Sequence, residues 1–376
     1  MRVGVAGLGI VAEAVHLPLL ARRSDLFEIA ALCDLSASRC AAMGVRYAVP
    51  VEQHYPSIEA LCDHAAVDAV LVLTSGSHGG AVERCLDAGL AVLCEKPFAY
   101  SVAEADAVIA RAGVAPRVQV AYMKQYDAAF GRMRELLPDR QSIRSIEVEV
   151  LHPSTQAQLL FANLAPRSSD IDPAALDSLL AADRRSLDAA LGDADQDVRD
   201  LYSDVVLGSL VHDISLVRDL VGPPTQINLV RTWPAGARPG TVEVIGSAAS
   251  GAGLAMRWHY LPDYPDYPAY RETVTVHHDR GTLQVAFPSP YLLNAPSELL
   301  VVKGGDGNEQ RSVFRPAGEE FETELVGLHA MVTAGVAPLS GPVEGRTDIV
   351  TAQQIIRSYC ELNGLMLGGE AASQPR

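Results

Sequence analysis

The sequence predicts an α/β chain that opens with a doubly wound parallel sheet and continues as an α+β half. Three observations carry this. An apolar run, Arg2 to Ala6, leads into a glycine-rich turn, Gly7-Leu8-Gly9-Ile10-Val11-Ala12, at the head of a helix. Short apolar runs then alternate with helical segments as far as Tyr122, the order of parallel strands joined by right-handed crossovers. From Leu254 onward, segments alternate apolar and polar residues, as strands with one solvated face do. A chain of 376 residues, 48% of them hydrophobic, can bury two cores. The expected domains are 1–124 and 125–376, the second with a helical insertion at about 155–200.

The first half reads in order. In the turn G-x-G-x-x-G/A, Gly7 permits the tight bend, Gly9 lets the backbone approach a pyrophosphate, and Ala12 keeps helix and strand close. Ile10 and Val11 then stand at a helix N-terminus, which favours an anion. His16-Leu17-Pro18 predicts a kink or restart near Pro18. Phe27 to Cys33 is a second strand, and Asp34 lies about 20 residues past the glycines, where a ribose-binding carboxylate belongs. Strand, glycines, helix, strand and acid in this order make a dinucleotide site, and the half is a Rossmann domain. Leu35-Ser36, not an arginine, follows Asp34, so NAD is expected, with NADP the less favoured cofactor. Arg39, one helical turn on, could weaken that preference by pairing with a 2′-phosphate.

Val67 to Leu73 is a buried strand ending in Thr74-Ser75-Gly76-Ser77-His78, and Gly79 to Ala88 is a helix stopped by Gly89. Ala91 to Cys94 is a strand buried on both faces. Glu95-Lys96-Pro97 follows at its carboxyl end, the edge at which open α/β sheets bind ligands. Pro97 keeps Lys96 out of helical geometry. Only three of the 30 basic residues are lysines, at 96, 124 and 303. What lysine adds over arginine is a compact ammonium whose pKa can shift. An ordinary surface ion pair is the alternative for Glu95-Lys96. Ser101-Val102-Ala103-Glu104 is a capping box, and Val118 to Tyr122 is the last strand of this half.

In the second half, Ser145 to Leu151 reads as a strand. Asp170 to Gly192 reads as a helix, with Asp172 as N-cap and Pro173 at its first position. Arg199 to Val221 reads as a single helix. Its stripe Val206, Leu210, Ile214, Val217 and Val221 faces a core. His212 then falls on the other face, among Gly208, Ser209, Ser215 and Leu216. Small neighbours around an imidazole suggest room for a ligand; a solvated surface histidine is the alternative. Leu254 to Tyr260, Arg271 to His278 and Thr282 to Phe287 are strands, with Asp279-Arg280-Gly281 turning a hairpin. Glu319 to Thr333 and Asp348 to Leu362 are amphipathic helices. Proline at every third position from Pro262 suits an extended segment that stacks Tyr264, Tyr267 and Tyr270, either as a stiff loop or as an aromatic wall.

Composition narrows the function. A formal net charge of −16 argues against a nucleic-acid surface. No apolar run is long enough for a bilayer. The six cysteines form no CxxC pair and read as small buried hydrophobes in a reducing cytoplasm, with no metal site. Met1-Arg2 leads directly into a strand, without a signal peptide, so the expected location is cytoplasmic.

Gly7-Leu8-Gly9, His16-Leu17-Pro18, Asp34, Thr74 to His78 and Glu95-Lys96-Pro97 resemble, in order and spacing, the glucose–fructose oxidoreductase / inositol dehydrogenase / rhizopine catabolism (Gfo/Idh/MocA) family. Tyr122-Met123-Lys124-Gln125-Tyr126-Asp127 looks like the family's entry into its second domain. The resemblance is good over about 130 residues and loose beyond. It implies a second domain on a large open, mostly antiparallel sheet that often makes the subunit interface of a homodimer or homotetramer. It implies an NAD(P)-dependent oxidoreductase acting on a sugar, cyclitol or nucleotide sugar. Two variants of that reading are tightly bound NAD cycled for epimerisation or elimination, and a catalytically silent sensor.

The residue expectations follow. Lys96 polarises the reacting oxygen and His212 exchanges the proton. Gly7, Gly9, Ile10, Val11, Asp34, Arg39, Thr74, Ser75, His78, Glu95 and Lys96 hold the cofactor. Tyr122, Lys124, Tyr126 and Asp213 contact substrate; a salt bridge is the alternative for Lys124, and a polar helix start for His78. The family's aspartate four residues before the histidine is Gly208 here, and its aspartate three residues after is Ser215. Ser209 or Ser215 could orient the ring instead.

Overall fold

A computed structural model describes residues 1–376 apart from 163, 167, 235, 238, 263–269, 306 and 376. The proline-rich segment with Tyr264 and Tyr267 therefore lies outside the described residues. The chain forms two compact units. Unit 1 comprises Met1–Met123, Leu164–Ala190 and Phe321–Ile349; unit 2 comprises Lys124–Asn163, Leu191–Glu320 and Val350–Arg376. This differs from two contiguous domains, because two later segments return to join the first unit.

Unit 1 holds six parallel strands: β1 (Arg2–Ala6), β2 (Glu28–Cys33), β3 (His54–Tyr55), β4 (Ala69–Val72), β5 (Ala91–Cys94) and β6 (Val118–Val120). Their order is β3-β2-β1-β4-β5-β6. The order reverses between β1 and β4, the point at which such sheets open a crevice at their carboxyl ends. Val3, Val5, Val70, Leu71, Val92 and Leu93 are fully buried, each worth about 1.5–3 kcal/mol of burial. The crossover helices are α1 (Leu17–Arg22), α2 (Ala37–Tyr47), α3 (Ile58–His64), α4 (Gly79–Asp87) and α5 (Val102–Ala112). Ser36, Ser57 and Ser101 cap α2, α3 and α5 with side-chain oxygens. Ahead of α1 the chain winds as a π-turn over Ala12–His16, and Pro18 sits in the first turn of α1. The wide turn is where the ladder adapts to a residue that cannot donate.

The returning segments are tied by hydrogen bonds. Gln119 Nε2 donates to the Glu324 carbonyl at 2.9 Å, and Val120 N–H to the Ser340 carbonyl at 3.0 Å. Segment 164–190 carries most of helix α8 (Pro173–Leu191), whose first turn is capped by Asp172 accepting from Ala174 N–H.

Unit 2 is built on eight strands: β7 (Ile143–His152), β8 (Pro224–Trp233), β9 (Thr241–Ala248), β10 (Gly253–Tyr260), β11 (Arg271–His278), β12 (Gly281–Phe287), β13 (Glu298–Gly305) and β14 (Asn308–Phe314). They lie in the order β14-β13-β12-β11-β7-β10-β9-β8, all antiparallel except the β10–β7 pair. On β7, Ile146, Val148 and Val150 are buried while Glu147 and Glu149 are exposed. One face of the sheet therefore meets a core and the other carries charge, including the Arg231–Glu243–Arg257 cluster. Helices α6 (Ala128–Leu136), α7 (Thr155–Leu159), α9 (Gln196–Asp200) and α10 (Val211–Val221) complete the elements before β8. Helix α11 (Glu320–Ala334) falls almost wholly in unit 1, and α12 (Pro342–Asn363) begins in unit 1 and ends in unit 2.

The single helix expected over Arg199–Val221 is instead three pieces: α9, a π-wound stretch over Leu201–Leu210, and α10. A fixed advance of about 100° per residue therefore does not carry from one end to the other.

Candidate active site

In unit 1 the glycine turn is fixed by the strand behind it. Gly7 has φ +89°, and a Cβ there would stand 2.7 Å from the backbone of Leu73 and Thr74. Its N–H donates to the Cys33 carbonyl at 2.8 Å. Gly9 is the opposite case: a Cβ there would meet nothing within 4 Å, so open space lies over this backbone, as a pyrophosphate needs. Helical winding begins at Ile10, which is 39% exposed. Asp34 ties the two βα loops together: Oδ2 accepts from Leu8 N–H at 2.8 Å and Oδ1 from Ser36 N–H at 2.9 Å. Each oxygen keeps acceptor capacity for a ribose hydroxyl. These residues fit an NAD-type dinucleotide.

Arg39 has internal partners. Its Nε donates to the Leu8 carbonyl at 2.7 Å and its Nη2 to Glu13 Oε2 at 2.8 Å, with Glu13 only 4% exposed. Glu13 also accepts from Ala165 N–H at 3.1 Å.

At the end of β5 the structure replaces the surface ion pair by a buried brace. Glu95 is buried, and its Oε1 meets His16 Nε2 at 3.3 Å while Oε2 accepts the Lys96 N–H at 3.0 Å. Burial would raise the Glu95 carboxyl, but the His16 hydrogen bond and the nearby positive charge hold it below its usual range. His16 is fully buried and packs edge-on against Phe321. The Lys96–Pro97 peptide is cis. His78 is buried, with one ring nitrogen 2.7 Å from the Pro97 carbonyl and the other 2.7 Å from the Thr74 carbonyl. Expected as a cofactor contact, it is engaged here in clamping β4's loop to the Lys96–Pro97 turn. Lys96 itself is half-buried; Thr74 is half-buried and Ser75 exposed; Tyr122 is buried at 1% exposure.

In unit 2, His212 is 8% exposed, which excludes the solvated-surface alternative. Helix α10 is buried along most of its length, with only Arg218 and Asp219 half-buried. Trp258 on β10 donates to Ser209 Oγ at 2.9 Å, and Gln125 Nε2 donates to the Ser215 carbonyl at 3.1 Å. Neither serine orients the imidazole: Ser209 accepts from Trp258, and Ser215 Oγ donates to the His212 carbonyl at 2.6 Å. Gly208 also has a local reason. A Cβ there would stand 3.1 Å from the Ser203 carbonyl, five residues back, a contact that π winding creates.

Lys124 shows the ion-pair alternative. Its ammonium bonds Glu272, and Tyr270 OH donates to the same carboxylate oxygen; Lys124 Nζ lies 3.4 Å from Tyr270 OH. Lys124, Glu272 and Asp213 are 4%, 0% and 1% exposed. Asp213 Oδ1 and Glu272 Oε1 have no hydrogen-bond partner among the described residues. Burial, and then the charge of Glu272, drive the Asp213 carboxyl well above its usual range, while Lys124 pulls the other way. Tyr126 is half-buried. Sequence reasoning missed Glu13, His16 as a carboxylate partner, Tyr270 with Glu272, and Asp170. Among the described residues no cluster of His, Cys, Asp and Glu has metal-holding geometry. No helix among them is long and apolar enough to cross a membrane.

Residues 1–122 match the profile of a family described as an oxidoreductase family with an NAD-binding Rossmann fold. On that match the first 122 residues are similar to the NAD-binding half of the Gfo/Idh/MocA oxidoreductases. Inositol 2-dehydrogenase 3 of Saccharopolyspora erythraea is 34% identical over 140 residues, which are 36% of this chain and 40% of that protein. Inositol 2-dehydrogenase 2 of Paenarthrobacter aurescens is 30% identical over 186 residues, 46% of this chain and 54% of the relative. The matched stretches thus span about half of these relatives or less. Among solved structures, UDP-N-acetylglucosamine 3-dehydrogenase of Acidithiobacillus ferrooxidans has a TM-score of 0.68 at 20% identity, covering 95% of this chain and 97% of its own. An aldose-aldose oxidoreductase of Caulobacter crescentus has a TM-score of 0.69 at 21% identity, covering 96% and 98%. At such identities these two share the fold.

Proposed function

We propose that the protein is an NAD(H)-dependent oxidoreductase that interconverts a secondary alcohol and a ketone on a sugar, cyclitol or nucleotide sugar. The observation that most supports this lies within unit 1. An open backbone at Gly9, a ribose-facing carboxylate at Asp34 and the lysine after β5 share the carboxyl edge of one sheet. The names of the relatives point to cyclitol and sugar substrates. Bound nicotinamide supplies or accepts the hydride. Lys96 donates a hydrogen bond to the reacting oxygen and stabilises the charge that develops there. His212 exchanges the proton. Asp213, whose carboxyl burial and the charge of Glu272 push toward its neutral form, is suited to donate to a substrate hydroxyl; Tyr126 is a second substrate contact. We place self-association on the charged, open face of the eight-stranded sheet.

Offered NAD with a panel of inositols, aldoses and UDP-sugars, the protein is expected to produce NADH absorbance with at least one. Silence across the panel in a protein that binds a ligand from it would favour a sensor. His212→Asn is expected to lower kcat about a hundredfold, within the range of a general acid–base group, and to remove one ionisation from the kcat pH profile. An active variant with an unchanged profile would place the proton elsewhere. A second reading, NAD retained through each turnover, is favoured by segment 164–190, which is fastened at Glu13, Ser38 and Ser77 of unit 1. It requires that denaturing the purified protein release about one equivalent of nucleotide.

A further inference from the structure

We propose that Asp170, carried on a segment from the later half of the sequence, excludes the 2′-phosphate of NADP by occupying the donors that phosphate would use. The proposal rests on the dinucleotide reading above. The turn from β2 into α2 reads Asp34-Leu35-Ser36-Ala37-Ser38-Arg39. It ends in the N-terminus of an 11-residue helix capped by a fully buried Ser36. Two hydroxyls and a free-running N–H at such a terminus suit a phosphate, whose three oxygens seek charge-assisted donors.

Here those donors already hold an anion. Asp170 Oδ1 accepts from Ser36 Oγ at 2.6 Å and from Ser38 Oγ at 2.9 Å, and Oδ2 accepts from Ser38 N–H at 2.8 Å. These hydrogen bonds hold the Asp170 carboxyl at about 2, so it is ionised at any physiological pH. The remaining cation of the turn, Arg39, is committed to Glu13 and the Leu8 carbonyl. Asp34, through Leu8 N–H and Ser36 N–H, stands on the same loop. A 2′-phosphate would therefore face two carboxylates and find the Ser36 and Ser38 hydroxyls and the Ser38 N–H already taken, whereas a 2′-hydroxyl only needs an acceptor.

The position of Asp170 is secured on both sides. Ala165 N–H bonds Glu13, Asp183 accepts from Ser77 N–H at 3.0 Å, and Ser186 Oγ bonds Glu104 within the same unit. Removing one exposed carboxylate leaves these fastenings in place.

The test titrates the full chain with adenosine 5′-monophosphate and with adenosine 2′,5′-bisphosphate, which differ only in the phosphate at issue. The wild-type protein is expected to prefer the monophosphate by about tenfold or more, and Asp170→Ala and Asp170→Asn to reduce that preference about tenfold, the scale of one charge-assisted contact. Asp170→Asn keeps the side chain's shape, so it carries the test if the alanine variant misfolds. Variants that bind the monophosphate with an unchanged preference would overturn the role of Asp170 alone. A wild-type protein that binds neither nucleotide would overturn the dinucleotide reading and this inference with it.

Discussion

Lys96→Met is expected to lower kcat about a hundredfold or more while nucleotide affinity changes by no more than about twofold, the pattern of losing one interaction made only in the transition state. Several contacts that hold the turn do not involve the ammonium: Glu95 Oε2 on the Lys96 N–H, His16 on Glu95, and His78 between the Thr74 and Pro97 carbonyls. Methionine keeps the apolar stem and removes the charge. Nucleotide titration and steady-state kinetics on the same preparation separate binding from chemistry. Near-normal turnover would leave Lys96 with a structural part only, and a joint loss of affinity and kcat would mean that the turn itself had moved. Because Glu95 is buried and held ionised, the lysine stands near a negative charge whether or not substrate is bound.

The parts of this fold legible in the sequence are those whose cause is local. Strands β1 and β5 are buried on both faces, so each is an unbroken apolar run with the bounds its residues suggest. Gly7 is readable because its strain lies in its own backbone, and Asp34 because its distance from the glycines is set by one strand–helix–strand unit. The rest depends on residues remote in sequence. Glu272 shares the core-facing register of Val274 and Val276 on β11, a place an alternation of apolar residues does not give to a carboxylate, and it is fully buried there with Lys124 as its cation. Asp170 reads as a residue of a helix start and is instead the partner of Ser36 and Ser38. Strand β14, Asn308–Phe314, is half-buried at one position and exposed at the rest, so it has no apolar periodicity to read. The winding of Leu201–Leu210 escaped for a different reason: apolar content was visible, but a residue-per-turn count was assumed.

Lys124→Met is expected to destabilise the protein by about 3–5 kcal/mol, the cost of leaving one partner of a buried ion pair without the other. Glu272 is fully buried and Asp213 nearly so, and Lys124 is the cation bonded between the aromatic rings of Tyr270 and Phe287. The double change Lys124→Met with Glu272→Gln removes both charges and should recover most of the loss. Asp213 gives the accompanying pH dependence. Its carboxyl is raised in the folded chain, so the folded state holds a proton that the unfolded state, with an aspartate near about 3.9, has released. Stability from this group is complete below about pH 4 and is lost as the pH climbs toward the folded value. Asp213→Asn, which cannot ionise, should therefore gain on the wild-type protein as the pH rises from about 5 to 8 in denaturant titrations. Lys124→Met should lose stability more steeply over the same range, because the ammonium that favours the ionised cluster is gone. Parallel stability curves for the three proteins would mean that Asp213 does not titrate against Glu272 and Lys124 at all.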